Sequence, residues 1–121
     1  MINENMKKVL VALRSGEYTQ TKLRLQSTRG HCCLGVMCEV YEKETRDSID
    51  RKASGHVGGG NLRRYEKVQA WVGLLTPSGN MTISSPSGFK STSLAQMNDE
   101  EGKTFSEIAD LIESEPTGLL V

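Results

Sequence analysis

The chain has 121 residues, 15 Lys/Arg against 15 Asp/Glu, and only 36% hydrophobic and 5% aromatic residues. That length supports one domain, 1–121, with a single core that needs no disulfide or metal staple. Zero net charge disfavours a duplex-binding protein, and no window approaches the roughly 18 consecutive apolar residues of a membrane span.

The N-terminal stretch lacks the apolar run of a secretory signal, so a cytoplasmic setting with reduced thiols is expected. Charge is unevenly placed. Residues 1–95 hold 14 Lys/Arg against 8 Asp/Glu and residues 96–121 hold 1 against 7, so a body of +6 precedes a tail of −6. Either the two parts neutralise each other in the fold, or a basic surface faces an anionic partner with the acidic segment turned away.

In chain order, residues 2–14 predict an amphipathic helix with Met6, Val9, Leu10 and Leu13 on one face, capped by Asn3 or Asn5 and ended by Ser15-Gly16. Tyr18 to Gln26 alternates enough to predict a strand, and Ser27-Thr28-Arg29-Gly30 a turn. Cys32 to Tyr41 is the most apolar window and holds all three cysteines. Leu34, Met37, Cys38 and Tyr41 share a helical face that Cys33, Val36 and Val40 widen, as in a central buried helix. Gly35 would let another backbone approach that helix.

Glu42 to Lys52 is polar and charged, and Ala53 to Gly60 is too glycine-rich for regular structure. Asn61 is expected to cap a helix from Leu62 to about Leu74 with a stripe of Leu62, Tyr65, Val68, Val72 and Leu75. Met81–Ser84 and Phe89–Thr92 predict an antiparallel hairpin with a long loop around Ser85-Pro86-Ser87-Gly88. Thr104-Phe105-Ser106-Glu107 matches a capping box opening a helix to about Ser114, which Pro116 stops. Leu119-Leu120-Val121 packs on the core or against a second copy. The fold class is α+β, with about four helices around a central buried helix and a small antiparallel sheet.

Three features carry candidate chemistry. His31, Cys32, Cys33 and Cys38 are metal-ligand types, but their spacing is not that of paired zinc ligands. Cys33 and Cys38 lie about 140° apart on a helix, so buried small hydrophobes are the better reading and no metal is expected. A cysteine nucleophile would need a partner base that adjacent His31 is poorly placed to provide. Asn98-Asp99 is either turn chemistry ahead of the capping box or a polar ligand pair. Gly59-Gly60-Asn61 followed by Arg63 and Arg64 places glycines, free helix N–H groups and two guanidiniums in sequence, an order that can hold phosphate. The plainer reading is a flexible loop before a solvated helix. Arg29 is a further candidate for that anion site.

Three segments resemble a widespread family of small bacteriophage and prophage proteins. They are Cys32-Cys33-Leu34-Gly35-Val36-Met37-Cys38-Glu39-Val40-Tyr41, the Trp71-Val72-Gly73-Leu74 helix end, and Leu94–Asp99 followed by Thr104–Ile112. The resemblance supplies no catalytic residues. It implies a protein acting in the cytoplasm of an infected bacterium. From these features the expected function is a non-enzymatic accessory protein without a cofactor that sequesters a small anionic ligand, such as a nucleotide second messenger of host immunity. Its pocket could lie in one chain or between subunits of a homo-oligomer. The alternative is a protein–protein inhibitor of a host defence enzyme, using the 42–52 stretch and an exposed C-terminal tail.

Overall fold

The computed structural model describes residues 1–51 and 57–121. Among them are five helices and two two-stranded antiparallel sheets, an α+β domain. The expectations placed on Ala53, Ser54, Gly55 and His56 lie outside the described residues.

Helix α1 (Glu4–Arg14) begins where Asn3 Oδ1 accepts the Met6 N–H at 2.7 Å, and buries the face of Met6, Val9, Leu10 and Leu13. That face lies against α5 (Phe105–Glu113), α2 (Cys33–Thr45) and α3 (Glu66–Val72). In α2, every residue from Cys33 to Cys38 is buried, as are Val40 and Tyr41. A helix apolar almost all round must be enclosed on several sides, and α2 is the centre of the core.

One side of α2 is enclosed by bare chain. A Cβ at Gly35 would overlap the carbonyl oxygen of Leu25, so the backbone before the helix lies directly on it. This contact accounts for a departure from the expected strand at Tyr18–Gln26. Only β1 (Gln26–Ser27) and β2 (Gly30–His31) pair regularly, with Thr21 N–H to His31 O at 2.8 Å and His31 N–H to Thr19 O at 2.9 Å beside them. Leu23, at φ +70°, breaks the pleat, leaving Leu25 fully buried and Leu23 outside.

The segment at 61–65 differs from expectation too. Leu62 is buried and gives its N–H to Pro77 O at 2.9 Å, while Asn61 Oδ1 accepts the Arg63 N–H at 2.9 Å in a local turn. The helix therefore starts at Glu66, not at Leu62, and ends at left-handed Gly73. Strands β3 (Asn80–Ser85) and β4 (Gly88–Ser93) pair down to Ser85 and Gly88, so Pro86-Ser87 is their whole connection, shorter than the expected long loop. Ser93 then caps α4 (Leu94–Asp99) through its hydroxyl.

The capping box of α5 is formed in both directions, at 3.1 Å to Thr104 Oγ1 and 3.0 Å to Glu107 Oε1. The C-terminal residues pack on their own core. Leu119 is fully buried, its carbonyl accepts the Leu75 N–H, and Val121 N–H reaches Gly73 O. Packing on the core is one of the two placements the sequence allows for Leu119-Leu120-Val121, and only Val121 is left largely exposed as a contact surface for the inhibitor alternative.

Candidate functional site

Asn98 and Asp99 end α4 at the inner edge of the extended segment 20–25. Asn98 is 1% exposed and every polar atom of its side chain is used. Its Oδ1 accepts Gln20 Nε2–H at 2.8 Å and the Cys33 N–H at 3.2 Å. Its Nδ2 donates to Thr21 O at 2.8 Å and to Asp99 Oδ1 at 2.9 Å. Asp99 Oδ1 also accepts the Leu23 N–H at 2.9 Å. The pair thus satisfies one free donor at the start of α2 and fixes the chain over Gly35. The bonding capacity of Asn98 goes into the fold, as does that of Asp99 Oδ1.

The glycines lie on the other side of the same segment. Gly59 O accepts the Leu25 N–H at 2.7 Å, and a Cβ on Gly60 would sit 3.2 Å from Leu23 O. Gly59, Gly60, Asn98 and Asp99 are therefore gathered around residues 20–25, where they fasten the chain. Left-handed backbone at a leucine costs about 1 kcal/mol or more, and these bonds hold it. Arg29 is exposed in the β1–β2 turn, where its N–H meets Ser27 Oγ at 3.2 Å.

Arg63 and Arg64 stand apart from that network. Leu62 and Tyr65, both buried, anchor the turn on either side, and Tyr65 Oη accepts the Gly58 N–H at 3.0 Å and donates to Asp50 O at 3.2 Å. With its two flanking residues turned inward, the turn exposes both arginines. They line a cleft of about 520 Å³ between residues 47–50 and 63–68. Its other charged groups are Asp47, Asp50, Glu66 and Lys67. Asp47 accepts the Tyr41 hydroxyl and lies 3.8 Å from Lys67 Nζ. Among the described residues neither Arg63 nor Arg64 makes an ion pair. The cleft is amphoteric, with cations from one segment and carboxylates from both.

The cysteines are core. Cys32, Cys33 and Cys38 are all buried and free, and burial pushes each thiol up, Cys32 to about 11. A protonated thiol is a poor nucleophile. Among the described residues no group of three or more His, Cys, Asp or Glu side chains could hold a metal ion. No described helix is long and apolar enough to cross a membrane.

A second polar cluster was not anticipated. His31 Nε2 lies 3.1 Å from Glu39 Oε1 on α2, and Arg51 binds Glu42, reaches Gln26 Oε1 at 2.7 Å and lies 4.0 Å from Glu39. The hydrogen bond from His31, helped by the charges of Arg51 and Lys43, holds the Glu39 carboxyl below its ordinary value. Tyr18 packs edge-on against the His31 ring at 5.4 Å. The sequence signal was Glu39, the one charged residue within the apolar stretch Cys32 to Tyr41. The carboxylate side of the cleft, Asp47 and Asp50, was also missed, because nothing in the sequence pairs that stretch with residues 63–68.

A family model described as a domain of unknown function (DUF8296) matches residues 1–116. No curated protein and no solved structure matches the chain.

Proposed function

This chain belongs to the DUF8296 family, and we propose from its site that it is a non-enzymatic protein that binds and sequesters a small anionic ligand at Arg63 and Arg64. The observation that carries this reading is the pair of adjacent guanidiniums, held outward by buried neighbours and without ion pairs among the described residues, on a cleft of about 520 Å³. That volume suits a small molecule, and a guanidinium offers phosphate a bidentate match.

The carboxylates sharpen the choice of ligand. A bare phosphate would meet Asp50 and Glu66 unfavourably, whereas a nucleotide brings amino and hydroxyl donors that those acceptors satisfy. The proposed setting is the phage-infected bacterium, with a nucleotide signal of antiviral defence as the ligand. Raised thiol pKa values support a role without cysteine chemistry.

Calorimetric titration with a panel of cyclic and linear nucleotides tests the reading. Binding at micromolar protein is expected, with loss of affinity and an unchanged melting temperature in Arg63→Ala/Arg64→Ala. No heat with any member of the panel would end it, and unaltered affinity in the double variant would put the site elsewhere. A second reading, inhibition of a host enzyme, draws on Phe89, an aromatic side chain 83% exposed on β4. Absence of any reproducible partner in pull-downs from infected-cell lysate would count against it.

A further inference from the structure

Leu23 combines three properties that rarely meet. It is 71% exposed, it holds φ +70°, and its backbone is tied on both flanks by buried or short contacts. Asp99 takes its N–H, Gly59 takes the N–H of Leu25, and Asn98 takes the carbonyl of Thr21. Folding alone would be served better there by Gly or Asn, which adopt this backbone readily, and burial gives the leucine side chain nothing. The neighbours Lys22 and Arg24 are exposed. So is Lys103, whose carbonyl is bound by Gln20 at 2.7 Å beside the same segment. Among the described residues none of these three cations makes an ion pair.

We infer that Lys22-Leu23-Arg24 is a rigid docking prong for an acidic segment of a partner protein, with Leu23 entering an apolar site and the flanking cations meeting carboxylates. Pre-fastening the loop removes the ordering cost of binding, and the unpaired cations supply charge complementarity. A single leucine is far short of what stable membrane anchoring needs, and an apolar side chain at the centre of the patch has nothing to gain from a phosphate backbone. This surface is separate in its chemistry from the Arg63–Arg64 cleft.

Selection of peptides from a displayed random library against the intact chain, followed by anisotropy with the enriched peptide, tests the inference. Peptides with Asp or Glu flanking a large apolar residue should be enriched. Leu23→Gly should weaken the enriched peptide about tenfold or more while melting no lower than the wild type, since glycine accepts the left-handed backbone. Lys22→Glu/Arg24→Glu should also abolish binding, and added salt should weaken the wild-type complex. Failure to enrich any peptide, a consensus without carboxylates, or undiminished binding to Leu23→Gly would overturn the inference. So would Leu23-dependent binding to phosphatidylglycerol vesicles in the absence of peptide binding, which would reassign the prong to a lipid surface.

Discussion

At Gly35 the absence of a side chain is a packing requirement, because the Leu25 carbonyl occupies the space a Cβ would take. Backbone cannot move aside as a flexible side chain can, so Gly35→Ala should cost about 3 kcal/mol or more in urea unfolding. A wild-type unfolding midpoint would refute the close approach. Asn98→Ala should cost about 3 kcal/mol through the stranded Cys33 N–H and Thr21 carbonyl. Asn98→Asp should do no better, since it places an acceptor against Thr21 O and the Asp99 carboxylate. Glu39 gives the fold an acid-sensitive element. Its folded pKa is lowered, so its contribution is fully present above the unfolded value, near 4.5, and is lost as pH falls through the folded value. Glu39→Gln should flatten the fall in stability below about pH 4.5, and an unchanged slope would show that the His31 contact does not act on folding.

The helices differ in how local their determinants are. The apolar faces of α1 and α5 were legible because burial follows a 3.6-residue period in each, α2 was legible because its first two turns are apolar nearly all round, and the caps at Asn3 and Thr104 are local bonds. Thr104→Ala should therefore cost about 1 kcal/mol, measurable as a lowered melting temperature. The extended segment 18–26 was not legible as such. Its alternation reads as a strand, but Gly35, Asn98 and Asp99 dictate its path from elsewhere in the chain. The start of α3 was misplaced for a similar reason, as the Leu62 N–H is claimed by Pro77 O and Asn61 serves a turn rather than a helix. Tertiary bonds overrode a periodicity that held for Leu62, Tyr65, Val68 and Val72, all buried as their spacing requires, but not for Leu75, which lies beyond the helix end at Gly73 and is 51% exposed.

Over the whole molecule the uneven charge is partly resolved by packing. Arg14 on α1 binds Asp110 and Glu113 on α5 at 2.7 and 2.8 Å, Lys90 binds Glu101 at 3.2 Å, and the N-terminal amine meets Glu115 at 3.0 Å. These exposed pairs contribute little each, but they occupy much of the acidic quarter. Lys22, Arg24, Arg29, Arg63 and Arg64, on the loops, are left without ion pairs among the described residues. Sequence reading could identify Arg63 and Arg64 as following a glycine-rich turn. It could not show that Asp47 and Asp50 would share their cleft, because that juxtaposition exists only after α2 and α3 pack. The proposed ligand site in that cleft is best tested by a ¹H–¹⁵N NMR titration of the intact chain with the nucleotide panel. Shifts concentrated at Asp47–Asp50 and Arg63–Val68, and absent in Arg63→Ala/Arg64→Ala, are the expected result. Shifts confined to another face, or none with any nucleotide, would contradict it.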